Sequence, residues 1–382
     1  MAADPIPMYL GGDFTTAAPG HRFSLYLPAV RPDAKLGALK KVVELNDSDR
    51  STLRAMIARQ ARLAAELEES DQLQTFSAIS TAPFVTGLGN EHPLENGFSF
   101  LSPYGLPYLP GSGVKGVLRG AAQELIAGVF GDAQGWTPEA LQALFGVEDG
   151  EGDPCRGLLS FWDVIPEIKT GMKIEIMTPH QSGYYQNGES PHDNGSPNPI
   201  LFLSVPPGSA FAFHVQANRT RMARFAPALL ENNRWRALMH VAFMHAFDWL
   251  GFGAKTAVGY GAMRFDEAAG ERREQDRKNR AEQERKRQAQ AERERKLAVL
   301  SPLERKIEEI MAAKHVEQPD ESALFNAIRE GRFELTEREE AAHILKARMQ
   351  SAKLWKESTS AKKPEKDKDY QRTLEVMKWL ES

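Results

Sequence analysis

The chain carries one cysteine, Cys155, in 382 residues. A single thiol excludes an intramolecular disulfide framework and fits a reducing compartment. Long apolar runs are missing too, and none approaches the roughly 20 residues that span a bilayer. The N-terminus lacks the basic-then-apolar order of a secretory signal. These absences lead us to expect a soluble, cytoplasmic protein with no membrane partner. Excess positive charge is also lacking: the formal net charge is −4, which argues against a generic polyanion binder. Residues 76–266 hold 12 Lys/Arg against 17 Asp/Glu, so any nucleic-acid contact there rests on local patches and backbone amides. His92, His180, His192 and Cys155 lack zinc-type spacing. Neither a metal nor a cofactor is expected.

What is present is organised around Tyr104-Gly-Leu-Pro-Tyr-Leu-Pro-Gly-Ser-Gly-Val-Lys-Gly-Val-Leu-Arg-Gly120. Pro107 and Pro110 hold an extended approach, and Gly111-Ser112-Gly113 makes a tight turn. Val114, Val117, Leu118, Ala121, Leu125 and Val129 then recur at helical spacing. Ser112 suits the N-cap, and the glycines allow close backbone approach. Free N–H groups at such a helix start, with Lys115 and Arg119 on one side, suit an anion such as a phosphate. A second stretch, Gly251-Phe-Gly-Ala-Lys-Thr-Ala-Val-Gly-Tyr-Gly261, follows an apolar helical run and precedes a short alternating segment, 262–266. It reads as a helix-to-strand connection with Lys255 and Thr256 at its tip. A phosphate-loop ATPase is set aside. It needs Gly immediately before the Lys and again five residues earlier, where this chain has Ala254 and Trp249.

These two stretches resemble the RAMP superfamily of CRISPR RNA-binding proteins. Its signature is a Leu-Pro-Tyr-hydrophobic-Pro-Gly-Ser turn followed by Lys-Gly and Arg, closed later by a Gly-hydrophobic-Gly-Ala-Lys-Thr…Gly-Tyr-Gly loop. Gly87-Leu-Gly-Asn-Glu-His-Pro-Leu-Glu-Asn-Gly97, Thr178-Pro-His180 and Tyr184-Tyr185 narrow the resemblance to subunits of type III-B (Cmr) effector complexes. It covers roughly residues 76–266. Ser112-Gly113 departs from the usual Ser-Ser of the turn.

The resemblance implies a ferredoxin-like α+β fold, and the reading strand, helix, strand, strands, helix, strand suits that fold. In chain order, residues 1–50 read as an irregular arm and 50–70 as a helix capped by Asp49 or Ser51, together a region 1–75. Thr75–Val85 reads as a strand. Thr137 caps a short helix with Pro138 at its first position. The stretches 157–165 and 173–177 read as strands, and 200–205 with 210–215 as a hairpin-like pair around Pro206-Pro-Gly208. Between residues 271 and 296, 11 Lys/Arg and 7 Asp/Glu with acid-first i,i+4 pairs make 267–299 a charged helical spacer. Residues 300–382 read as a helical region divided by the polar stretch 357–369.

By resemblance, the chain is a non-enzymatic CRISPR RNA-binding subunit. It holds the guide toward its 3′ end, together with the guide–target duplex, in antiviral RNA interference. Its partners are guide RNA, target RNA and neighbouring RAMP subunits. Gly111, Ser112, Lys115, Arg119, Gly253, Lys255, Thr256 and Tyr260 are the expected contacts to phosphates and sugars. The polar stretch 178–199 falls where these proteins project a thumb, with His180 and Tyr184 available to stack on bases. Arg219 and Arg221, with Arg224, offer further phosphate contacts. Two alternatives stay open. In one, Glu91 and His92 act as an endoribonuclease pair, because a loop at this place in related subunits carries a cleaving Asp before a Pro; the plain reading of 87–97 is a polar turn bonding its own backbone. In the other, the chain is a structural scaffold.

Overall fold

The computed structural model describes residues 6–27, 34–129, 131–147, 156–178, 199–312, 321–359 and 364–381. It divides into two units, Met1–Arg277 and Lys278–Ser382.

The first unit opens with α1 (Pro19–Ser24), α2 (Lys35–Val42) and α3 (Asp47–Glu69). The region expected as an irregular arm therefore contains two helices, and its apolar residues explain why. Phe23, Leu39, Val42 and Leu45 are buried in the same core as the sheet. Buried Arg22 ties the helices by donating to the carbonyls of Lys41 and Glu44. The cap of α3 also differs from expectation. Asn46 is the N-cap, accepting from the Asp49 N–H, while the Asp49 side chain accepts from the Asn46 N–H in return. Asp49 is the distal half of a capping box.

Next come β1 (Leu73–Ser80), β2 (Phe100–Leu101), β3 (Leu106–Pro107), α4 (Gly111–Ile126), α5 (Pro138–Phe145) and β4 (Leu159–Phe161). They are followed by β5 (Lys173–Met177), β6 (Ile200–Ser204), β7 (Ala210–Ala217), α6 (Arg219–Phe225), α7 (Arg234–His245) and β8 (Met263–Phe265). The main sheet is antiparallel between neighbours and ordered β4-β7-β1-β8. With α4 between β1 and β4 and α7 between β7 and β8, this is the ferredoxin-like α+β arrangement. Strand alternation sorts its two faces. Phe76 and Phe213 on one face join Phe243, Phe247 and Phe252 in an aromatic cluster. Thr75, Ser77 and His214 lie on the other. There Arg273 donates to the Ser77 hydroxyl and the Thr75 carbonyl. His214 bonds the Thr75 hydroxyl at 3.0 Å. Burial, then the nearby Arg273 charge, push the His214 pKa down to about 4, so the ring is neutral in the fold.

The hairpin expected around Pro206-Pro-Gly208 does not form. Strand β6 pairs with β5, whereas β7 pairs with β1 and β4. Backbone hydrogen bonding gives the reason. Val205 exchanges both its bonds with Phe84, and Ser80 bonds Gly208 and Ser209, so the turn passes the chain from one sheet to another. The β5–β6 ribbon is thus an insertion between the second and third strands of the core. Its register ends at Met177↔Ile200. Residues 179–198 lie outside the described residues.

Helix α8 (Glu267–Val299) follows β8 and is polar all round. The second unit has its own core, built from α9 (Pro302–Ala312), α10 (Glu321–Arg329), α11 (Leu335–Ser351) and α12 (Lys368–Leu380). Leu303, Ile307, Leu324, Ile328, Leu345 and Val376 are among its buried residues. Asp367 caps α12 and takes bonds from Lys356 and Thr359, folding the expected polar divider back onto the bundle. Among the described residues, no helix is long and apolar enough to cross a membrane.

Candidate nucleic-acid interface

The closing loop begins where α7 widens into a π turn, Ala246–Leu250, and Gly251 takes a φ of +68°. It then closes on itself and on the chain leaving β1. The Phe252 N–H donates to Gly261 O at 3.0 Å, Ala254 N–H to Val85 O at 2.7 Å, and Gly261 N–H to Pro83 O at 2.8 Å. A Cβ on Gly253 would stand 2.2 Å from Val85 O, and one on Gly261 would stand 1.9 Å from Phe252 O. Both glycines also have positive φ. They are required by backbone packing within the protein, before any ligand is considered.

That packing sets the side chains at the tip. Lys255, itself left-handed at φ +59°, leads into the short turn Thr256–Val258. Its Nζ lies 5.8 Å from the centre of the Phe202 ring and 3.6 Å from Met177 Sδ. Tyr260 meets the same ring edge-on at 5.7 Å. Burial, and then the Glu175 charge, raise its phenol pKa. The tip therefore rests on the β5–β6 ribbon; His180 and Tyr184 fall outside the described residues.

The first glycine stretch is put to a different use. Helix α4 starts at Gly111 with Pro110 as N-cap, so Ser112 is not the cap. The Gly111 N–H donates to Asp163 Oδ1 at 2.8 Å. A protein carboxylate thus sits at the helix start, where the amides and the helix dipole favour negative charge. A Cβ on Gly111 would come within 2.1 Å of Phe161 O, so this glycine too serves packing, here of α4 on β4. Ser112 is exposed and Lys115 half-buried. Arg119 donates to Gly146 O at 3.0 Å and ties α4 to the end of α5.

The arginines predicted after β7 lie elsewhere. Arg219 donates to Asp71 O at 3.2 Å, near the start of β1, while the closing loop packs where β1 ends. The eight residues of β1 separate these places by about 25 Å at ordinary strand rise. The structure therefore brings Gly253, Lys255, Thr256 and Tyr260 together, sets Gly111, Ser112 and Lys115 against the opposite sheet edge, and holds Arg219 and Arg221 at the opposite sheet end. Sequence reasoning missed Phe202 and Glu175 as the surface under the loop. Both strands were legible, but the partner of each was not.

In the loop 87–97, the His92 ring stacks on Phe23 at 3.7 Å. Its Nδ1 accepts from the Leu94 N–H at 3.2 Å, which leaves Nε2 to donate to Phe23 O at 3.0 Å. Burial lowers its pKa, favouring this neutral form. Glu91 is exposed, and Glu95 pairs with Lys35. The loop is a polar turn bonded into its surroundings. Among the described residues, no group of three or more His, Cys, Asp and Glu is placed to hold a metal.

The family model of the RAMP superfamily matches residues 79–264. The core belongs to the RAMP superfamily. The match runs from the end of β1 into β8, so this RAMP core contains both glycine stretches. Among characterised relatives, the CRISPR system Cmr subunit Cmr6 of Pyrococcus furiosus is 28% identical over 257 aligned residues, covering 51% of this chain and 70% of the relative. Its crystal structure is 27% identical and covers 51% of this chain and 97% of that chain, with a TM-score of 0.30. A chain of the type III-B Cmr-beta complex bound to cognate target RNA is 19% identical, covers 61% of this chain and 71% of that chain, and has a TM-score of 0.42.

Proposed function

We propose that this protein is a guide-RNA-holding subunit of a cytoplasmic type III-B CRISPR effector complex, placed toward the 3′ end of the guide beside other RAMP subunits. The likeness of the RAMP core to Cmr6 supports membership of the complex. The observation that carries RNA contact is the closing loop: glycines locked by backbone packing hold Lys255 and Thr256 at a tip against the ribbon. Lys255 rests on an aromatic ring, an interaction worth about 0.5–1 kcal/mol at exposed sites. A phosphate, which makes a charge-assisted hydrogen bond, would draw it off at little cost. Ser112, Lys115, Tyr260, Arg219 and Arg221 add backbone contacts, and His180 and Tyr184 meet the duplex. Such grip is independent of sequence, because phosphate contacts position without specifying. The nuclease alternative draws no support from the site, since both ring nitrogens of His92 are engaged.

The test is co-expression with the neighbouring complex genes and a guide locus, followed by purification on this chain and RNA sequencing. Discrete guide-sized RNA is expected, and it should be depleted in a Lys115→Ala/Lys255→Ala variant. In single-strand binding assays, each lysine removed should lower the salt slope by about 0.7. Recovery of the chain alone, with neither RNA nor partner subunits, would overturn the reading.

A further inference from the structure

Five of the 12 cationic residues between 76 and 266 are arginines within 219–236, accompanied by one acid, Glu231. Helix α6 carries three of them, two of which lie against an aromatic ring. Met222 is fully buried and anchors the helix, whereas Phe225 is 62% exposed. The Arg221 and Arg224 guanidinium carbons lie 5.8 and 5.2 Å from the centre of the Phe225 ring. A single exposed phenylalanine is ordinary, but one with two guanidinium groups against it is a flat apolar face inside a cationic rim.

A cavity of about 440 Å³ lies at the other end of the same helix, lined by Ser70, Gln72, Ser160, Gln216, Asn218 and Arg219. Side-chain amides both donate and accept, as base edges do. From Arg219 to Phe225 is six helical steps, about 9 Å, so one strand can use both features. We propose that α6 is a second contact for single-stranded RNA, with an unpaired base stacked on Phe225, phosphates held by Arg221 and Arg224, and a neighbouring base in the amide-lined cavity. An acidic protein segment would use the arginines but has no need of the open ring or the amides. This proposal rests on the RNA-binding function above and deepens its Arg219 and Arg221 contacts into a base-stacking site at the opposite end of the sheet from the closing loop.

The test uses the assembled complex with uniformly 4-thiouridine-labelled guide in one arm and labelled target in the other, irradiated and mapped by mass spectrometry. Crosslinks to residues 219–225 are expected in one arm. They should vanish in Phe225→Ala and persist in Phe225→Tyr. Affinity for the RNA of that arm should fall about tenfold in Phe225→Ala, within the range for loss of one base–aromatic stack. Crosslinks at the closing loop are the internal reference. If the loop crosslinks while 219–225 does not, and Phe225→Ala binds RNA normally, the α6 site is overturned and the function above stands. If neither crosslinks, both fail. If Phe225→Ala sheds a partner subunit with RNA crosslinks unchanged, α6 docks protein, and the proposal is likewise overturned.

Discussion

The two glycine stretches look alike as sequence, each a glycine turn with a lysine just beyond, and the fold uses them differently. At α4 the first amide is taken by Asp163, and Gly111 lets the helix start approach β4. In the closing loop the glycines wrap the chain around Val85 and Phe252, and the cation is left on a ring at the tip. In both, the glycines answer to backbone packing, and contact with a ligand is left to nearby side chains. A glycine-rich turn beside a lysine is therefore weak evidence of an anion cradle until the partners of its amides are known.

The sharpest way to test that contrast is Gly261→Ala. It combines a φ of +71° with a Cβ 1.9 Å from a backbone oxygen. A loss on the order of 3–5 kcal/mol is expected in urea unfolding. Gly111→Ala meets a close contact at an ordinary helical φ and should lose about 1–3 kcal/mol. If Gly261→Ala were as stable as the parent, the packing role assigned to the closing loop would be wrong.

The sheet between the two stretches supplies a common control. His214 has a folded pKa near 4 against an ordinary value of 6.5, so the unfolded chain binds the proton more readily. Stability is full above pH 6.5 and falls as pH drops toward 4, by about 3 kcal/mol in all. Chemical denaturation across that window should show the slope, and His214→Gln should flatten it. Hydrogen exchange should find both stretches loosened equally. Loosening at one stretch alone would show that they do not share the sheet as one cooperative support.

The smallest effect belongs to Asp163→Ala. Losing the acceptor at the start of α4 should lower stability by about 1 kcal/mol and leave RNA retention by the complex unchanged. A gain in RNA affinity would instead mean that Asp163 occupies a real phosphate cradle.

Much of the chain could be read from residue order. Periodicity and turn chemistry located α4, α5, α8 and most strands, Thr137 was the cap it seemed, and the loop 87–97 was the polar turn its composition indicated. The misreadings share one cause. Ser112 resembles an N-cap, but Pro110 takes that position while a carboxylate 52 residues on meets the Gly111 amide. The 200–215 segment resembles a hairpin until Phe84 and Ser80 take its backbone bonds. Residues 1–50 resemble an arm because prolines and glycines break their apolar groups into short pieces, yet Phe23 and Leu39 find burial in a distant core.

Local order in the sequence thus determined most helices and strands of the core, the polar character of α8 and the motifs that mark a RAMP core. Tertiary structure decided which strand pairs with which, which amides remain open, and that Lys255, Phe202 and Tyr260 share one surface while the α6 arginines stand a strand's length away. The physical reason is that propensity and periodicity act over a few residues. Pairing, capping by remote carboxylates and shared burial are settled only by free energy gained between segments far apart in the chain.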